Sequence, residues 1–523
     1  MPLNRKYHIM KKIKILIVSA LVLGGIVSCS DELELLPLDR ITTATFYQDR
    51  SQFDGAIFAA YSSITDFWGT STETLSERGE YWKLTMLITD DVAVAVDGAD
   101  AISKDVDNLQ LRASDVPFAA IYTQIYEGIL RTNIVLENLD GENSLTAEDK
   151  TVLNAEAKFL RAFFHFQALK MYGTPPLYLE VKTDLSDLAN PNATQDELYA
   201  SILSDLGEAA AGLPEAWDGG NTGRATAWAA KSFIGKVNVF KEDYGAAITA
   251  FADVVTNGPY SLVADYEEAF AFTNENNSES IFEIQYGGPQ SDDNLWVFDD
   301  THSEDFKASQ GTGRPWYWDA GAEVGAPGNK LGWWAPTQDL VDVYEAGDTR
   351  LEASIWQAGD QYIAFGRGAT GRIDVPYDPS WSLTGLTFRK YRGPMNSFAE
   401  NHPPNQGADF NNERWFRFAE LKLLYAEALI LGGGDAGIAI QQIQDIRDRA
   451  GLTDPMDPDP LTAMMKEKRV EMAFEPHRWF DIVRWDLGAT IFPTAWDPKY
   501  VVFPFPQSEI DRSGGLLTQN PGY

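Results

Sequence analysis

Five of the fifteen tryptophans in this chain lie between residues 296 and 334: Trp296, Trp316, Trp318, Trp333 and Trp334. Chance would place about one in a window of 39 among 523 residues. They sit among glycine and proline, in Gly313-Arg314-Pro315-Trp316-Tyr317-Trp318-Asp319 and Gly332-Trp333-Trp334-Ala335-Pro336. Loops of this composition have few ways to bury neighbouring indoles completely. A flat ring suits the axial C–H face of a pyranose and offers apolar contact with a polarised edge. By analogy with other aromatic contacts each ring contributes on the order of 1 kcal/mol, and fixing it costs little entropy. The chemistry expected of Trp296, Trp316, Tyr317, Trp318, Trp333 and Trp334 is therefore non-covalent sugar binding. The structural alternative is that they staple a long loop to its scaffold.

Catalytic signatures are thin. The five histidines (His8, His165, His302, His402 and His477) show no metal-ligand spacing. There is no H-E-x-x-H, no G-x-S-x-G and no P-loop. Glycoside hydrolysis needs only two carboxylates, so the 77 acids keep a hydrolase as an alternative. Asp454, Asp457 and Asp459 lie in a proline-punctuated loop, but the pattern is not an EF-hand. A solvated turn is expected there rather than calcium, and no cofactor is expected. The reading is a binding protein, not an enzyme.

The only cysteine, Cys29, carries a different chemistry. Ile15 to Val27 is apolar except for Ser19, and it follows Lys11, Lys12 and Lys14. A basic n-region, a short apolar h-region and a small residue before the cysteine describe an export signal rather than a membrane span. Ile26-Val27-Ser28-Cys29 resembles a lipobox, in which the cysteine sulfur receives a diacylglycerol. Met10 offers an alternative start, and a plain core cysteine is the alternative to lipidation. Two or more acyl chains hold a protein stably at a membrane. No later stretch is long and apolar enough to span a bilayer.

Net charge is −35, and residues 1–28 hold five basic side chains and no acid, so the mature chain carries about −40. That surface argues against nucleic acid and against polyanions. It favours a neutral ligand. Ser30-Asp31-Glu32-Leu33-Glu34 resembles an acidic surface-export signal, with a solvated tether as the alternative.

The elements that must position these groups are helical. Ile121, Ile125 and Ile129 recur every four residues. Thr146 with Asp149, and Thr194 with Glu197, are capping-box patterns, and Gly173 ends the first of those helices. Ile234-Gly235, Ala247-x3-Phe251 and Pro259 match tetratricopeptide positions at the right spacing, and Ala439-x3-Ile443 after Gly432-Gly433-Gly434-Asp435 is a weaker echo. Gly, Pro, Asn and Asp then break every period between about 287 and 410, where helices are not expected. Helices return over Glu413 to Leu431, Gly437 to Ala450 and Leu461 to Trp485.

Several blocks resemble the SusD/RagB family of outer-membrane nutrient-binding lipoproteins. They are Ala155-Glu156-Ala157-Lys158-Phe159-Leu160-Arg161-Ala162, Asn277 to Tyr286, Tyr425-Ala426-Glu427-Ala428-Leu429, Arg478-Trp479-Phe480-Asp481-Ile482-Val483-Arg484-Trp485 and the close Gln519-Asn520-Pro521-Gly522-Tyr523. The resemblance covers nearly all of the mature chain. It implies a mostly α, single SusD-like domain of tetratricopeptide-like helix pairs with long irregular loop insertions. Within it, 1–28 is the signal peptide, 29–45 a lipidated tether, 46–286 the N-terminal helical region, 287–410 an aromatic-rich insertion and 411–523 the C-terminal helical region. It implies a SusC-type TonB-dependent barrel as partner, an oligosaccharide or polysaccharide ligand, and a lipid anchor at the cell surface of the outer membrane. A peptide-capturing member of the same architecture is the rival reading.

The family commonly draws ligand contacts from the stretch after its T-D-D motif, here Thr89-Asp90-Asp91, and a second candidate region surrounds Trp68, Arg78, Trp82 and that acidic pair. That makes Trp68, Arg78 and Asp91 further candidates, while Trp82 and Leu84 read as buried helix positions. Arg478, Asp481 and Arg484 share one helix face and are expected to lock the last helix in place. Mass spectrometry of the mature protein is expected to show diacylglycerol on Cys29. A mature form without acyl mass would remove the anchor.

Overall fold

Two threonines begin the helices around which the rest packs. Thr146 Oγ1 accepts the Asp149 amide at 3.1 Å, and the Asp149 carboxylate accepts the Thr146 amide at 3.1 Å. Thr194 and Glu197 make the same reciprocal pair. Each device satisfies amides that a first helical turn leaves unpaired. The computed structural model describes residues 46–65, 80–184, 188–286, 332–365, 372–391 and 411–523, with residues 318, 320, 325 and 326. Asp49–Tyr523 form one compact unit.

The main helices before the insertion are α1 (Arg50–Thr65), α2 (Val116–Asn138), α3 (Ala147–Tyr172), α4 (Gln195–Gly212), α5 (Ala227–Phe240) and α6 (Tyr244–Asn257). After it come α7 (Phe418–Leu431), α8 (Ala436–Arg449), α9 (Pro460–Glu471) and α10 (Arg478–Arg484). From Leu153 onward α3 is buried on almost every side. A helix so placed must pair its own polar groups. Arg161 does so: its guanidinium reaches both Asp205 oxygens on α4 at 2.8 Å and Asn133 Oδ1 on α2 at 3.0 Å. One side chain thus ties three helices. At Gly173 the φ of +74° stops α3.

The tetratricopeptide spacing reflects real packing. A Cβ at Gly235 would lie 2.3 Å from the Phe251 ring. Only glycine lets α5 and α6 approach so closely. The weaker echo is also a packed pair. A Cβ at Gly432 would meet Tyr244 Cβ of α6 at 2.7 Å. Asp435 caps α8, and Ala439, Ile443 and Ile446 are buried beneath it.

Two expected helices differ from the structure. Glu413–Arg417 is strand, not helix. The strands are β1 (Val92–Val94), β2 (Ser280–Ile284), β3 (Trp334–Pro336), β4 (Ile355–Trp356), β5 (Gln361–Phe365), β6 (Arg372–Pro376), β7 (Thr387–Phe388) and β8 (Glu413–Arg417). They pair antiparallel as β1 with β3, β2 with β8, β4 with β7 and β5 with β6. All five residues of β8 are buried, so its backbone needs a partner, and β2 supplies one. The expected helix over Leu461 to Trp485 breaks at Phe474, whose φ is +64°. The described part of the insertion is also more ordered than its composition suggests. Trp356, Tyr362 and Tyr377 form a small core there with Ala320 and Ala326.

The break at Phe474 serves a buried ionic cluster. Arg417 is fully buried. It donates to Glu475 at 2.8 and 2.7 Å, to Glu279 at 2.9 Å and to Glu471 at 3.0 Å. Arg449 reaches Glu279 at 2.7 Å and Glu471 at 2.6 Å. From the insertion, Arg350 reaches Glu471 at 3.2 Å and Lys390 reaches Glu475 at 2.7 Å. Burial alone would raise the Glu471 carboxyl, but Arg449, Arg417 and Arg350 outweigh it and hold it at about 2.

Two outcomes follow for stability. Gly235→Ala is expected to lower unfolding free energy by about 1–3 kcal/mol through overpacking, read as a lower denaturant midpoint. Arg417→Met leaves Glu279, Glu471 and Glu475 short of a partner and is expected to cost about 3–5 kcal/mol. Because the Glu471 pKa is depressed, its contribution is complete above the ordinary carboxylate value of about 4.3. It fades as pH falls from there to about 2. Thermal melts across that interval should show the wild type losing its margin over the variant; a constant margin would contradict the assignment.

Candidate functional site

Among the expected binding residues, Trp333 is the one the structure places at a described surface. In the β1–β3 pair, Val92 faces Pro336, Ala93 faces Ala335 and Val94 faces Trp334. The ladder runs one residue further, where the Ala95 amide donates to the Trp333 carbonyl at 2.7 Å. Successive strand side chains point to opposite faces. Trp334 turns inward, and its indole N–H donates to Ser103 Oγ at 3.1 Å. Trp333 remains only partly buried, packed against Ala95, Val96, Ala99 and Ala335.

Leu383 arrives beside it from the insertion. Its amide donates to the Ala95 carbonyl at 2.7 Å, and its side chain is 66% exposed. The backbones of Trp333 and Leu383 therefore both bond to Ala95, and we term this apolar neighbourhood the ledge. Asp107 lies next to β1, at the end of the short helix Ala101–Asp107. Its carboxylate accepts the Val94 amide at 3.3 Å. Burial pushes its pKa up to about 6, against the lowering effect of that backbone hydrogen bond. A carboxyl with this value exchanges acceptor and donor roles near neutral pH. Apolar surface beside hydrogen-bonding groups suits a ligand that is flat on one face and hydroxylated at its edges.

Leu383 and Asp107 were missing from the expected site. An exposed leucine in a polar loop and one aspartate among 77 acids carry no distinguishing signal. Only the fold brings them to β1, Leu383 at Ala95 and Asp107 at Val94.

Other expectations need correction. Trp318 and Trp334 are each 1% exposed and offer no face to a ligand. Trp318 stacks on Phe388 with ring centroids 4.5 Å apart and meets Trp82 at 5.7 Å. These two rings are core staples, as Trp82 and Leu84 are. Asp91 is also buried, and its carboxylate accepts Arg469 Nε at 2.7 Å. Beside it, Asp90 takes both donors of Arg478 at 2.9 and 2.8 Å. Burial would raise the Asp90 pKa, but the Arg478 hydrogen bond and charge bring it below the usual carboxylate value. The T-D-D stretch is thereby fastened to α9 and α10 rather than turned to a ligand. Asp481 and Arg484 are structural as expected: Lys468 reaches Asp481 at 2.8 Å and Arg484 grips Glu427. Cys29, Trp68, Arg78, Trp296, Trp316 and Tyr317 lie outside the described residues.

No group of three or more His, Cys, Asp or Glu among the described residues is placed to hold a metal ion. Asp457 and Asp459 spend their oxygens on turn and cap: Asp457 accepts the Asp459 amide at 2.9 Å, and Asp459 accepts the Thr462 amide at 3.1 Å.

Residues 278–499 match a sequence model of the SusD family, and residues 62–239 match one described as starch-binding associating with outer membrane. The chain belongs to the SusD/RagB family. SusD-like protein P25 of Formosa agariphila is 24% identical, over 98% of this chain and 100% of its own length. Starch-binding protein SusD of Bacteroides thetaiotaomicron is 24% identical, over 96% of this chain and 97% of its own. A solved laminarin-binding SusD-like protein superposes with a TM-score of 0.75 at 24% identity, covering 91% of this chain and 100% of that one. The mostly helical SusD-like fold is thus shared over nearly the whole length. SusD-family proteins are binding proteins and not catalysts.

Proposed function

We propose that this SusD-family chain is a cell-surface, lipid-anchored outer-membrane protein that captures neutral oligosaccharide or polysaccharide and passes it to a SusC-type TonB-dependent barrel. The observation that carries the ligand class is the Trp333 ledge, a partly covered indole on a braced strand pair, with Leu383 bonded to Ala95 and Asp107 to Val94 of the same strand segment. Named relatives that bind starch and laminarin support the same class. The net charge of −35 disfavours acidic glycans at a distance. The anchor and the barrel partner rest on the Cys29 signal and the family.

Calorimetry with neutral glycans, acidic glycans and peptides tests this reading. Heat from neutral glycan alone is expected. Trp333→Ala is expected to weaken that binding by about 1 kcal/mol, roughly fivefold, with little change in melting temperature because the ring is only partly buried. Binding of peptide and of no carbohydrate would overturn the proposal.

A further inference from the structure

A cavity of about 1410 Å³ lies between α1, α2 and the C-terminal segment, and none of the ledge residues lines it. Two helices build it by carrying two stripes each. On α1, Phe53, Ile57 and Ala60 are buried away from the cavity, while Phe58, Tyr61, Ser62, Ile64 and Thr65 line it. These positions follow the helical repeat on adjacent faces. On α2, Ile121, Ile125 and Ile129 go to the core, and Ala120, Thr123, Gln124 and Glu127 go to the cavity. Arg131 ties the helices together by donating to Ala59 O at 2.6 Å and Ser63 Oγ at 2.8 Å.

The wall contains one stiff aromatic face. Phe58 is 47% exposed, which is unusual for a ring in so ordered a place. The Arg224 guanidinium lies 5.2 Å from its centroid and 4.5 Å from that of Trp217. Trp217 is itself fixed, its indole N–H donating to Ala225 O at 2.7 Å. Tyr61 is fixed as well, donating to Glu156 at 2.9 Å and accepting the Ala225 amide at 2.8 Å.

The basic side chains of the wall are already matched, while Asp511 accepts Gln507 Nε2 at 2.8 Å. Arg131 pairs with Glu127, Arg224 with Glu156 and Asp54, and Arg512 with Glu509. An anionic ligand would have to break one of these pairs. One acceptor stands apart. The side-chain oxygen of Gln124 is buried and has no hydrogen-bond partner among the described residues. Leaving such an atom unpaired costs about 1–3 kcal/mol, which a ligand hydroxyl would recover once the amide of this cavity-lining residue turns to face it.

We infer that this cavity is a second carbohydrate site, separate from the Trp333 ledge. It takes a neutral oligosaccharide segment that stacks on Phe58 and draws the Gln124 amide round to accept a sugar hydroxyl at Oε1. Its volume exceeds the roughly 300–1,000 Å³ of a drug-sized pocket, so more than one sugar ring fits. The inference rests on the carbohydrate reading proposed above, and its test separates the two.

The experiment titrates the full chain, in detergent, with neutral oligosaccharides including laminarihexaose and maltohexaose, and follows both heat and tryptophan fluorescence. Two classes of site are expected. Phe58→Ala and Gln124→Leu should each weaken one class by about tenfold, and Trp333→Ala should weaken the other. Gln124→Leu should also leave the unliganded protein at least as stable, because nothing bonds that oxygen in it; it therefore reads the site even if Phe58→Ala folds poorly. A single class removed by Trp333→Ala and untouched by the cavity variants would overturn the second site and leave the ledge standing. A single class lost only in the cavity variants would do the reverse. Absence of any carbohydrate binding would overturn both.

Discussion

A charge that leaves water must find its counter-charges at once, and Arg417 imposes that demand on this chain. Its guanidinium lies beyond the reach of solvent, with Glu279, Glu471 and Glu475 around it. Those partners come from the start of β2, from α9 and from the turn after it. Arg449 of α8 and Arg350 and Lys390 of the insertion close the cluster. Each carboxylate is shared, so no segment can leave without stranding a neighbour's charge. Replacing such clusters with apolar side chains is often neutral in energy. What the ions supply here is position: the strand β8, the break at Phe474 and the anchoring of the insertion all satisfy one set of lone pairs.

The ledge inherits its rigidity from this arrangement. Arg469 and Arg478 hold Asp90 and Asp91 immediately before β1. The insertion pinned by Arg350 and Lys390 carries Phe388, on which Trp318 stacks, and Leu383 lies a few residues earlier. The partly buried ring of Trp333 thus stands on layers that are already fixed. A sugar meeting it would lose its own freedom but would not have to order the protein, which is the condition for useful affinity from a few contacts.

Local signals were legible in the sequence and distant ones were not. Thr146, Asp149, Thr194 and Glu197 act within four residues, and the structure repeats their pattern. Gly235 and Phe251 were legible because a helix pair is a short-range motif. Glu413–Arg417 was not, because five consecutive buried residues have no period, and their partner lies more than a hundred residues earlier. The tryptophans divide for the same reason. Trp333 and Trp334 are neighbours of identical composition and surroundings, yet strand alternation sends one into the core and the other against a small cluster that leaves it partly uncovered. That alternation exists only because β1 pairs with β3. Trp318 sits in a polar loop and still reaches the core, since Phe388 and Trp82 wait there.

The bond between Arg478 and Asp90 joins residues 388 positions apart. A ribosome releases the aspartate long before it has made the arginine. For most of synthesis the T-D-D stretch has no guanidinium to meet, and Glu279 and Arg417 likewise wait for α9. The N-terminal helices can pair as they emerge, because their contacts are local. The ledge cannot. It is braced only once Arg469 and Arg478 have been made, so a chain cut short upstream of them keeps its N-terminal helices and lacks the braces beneath its binding surface.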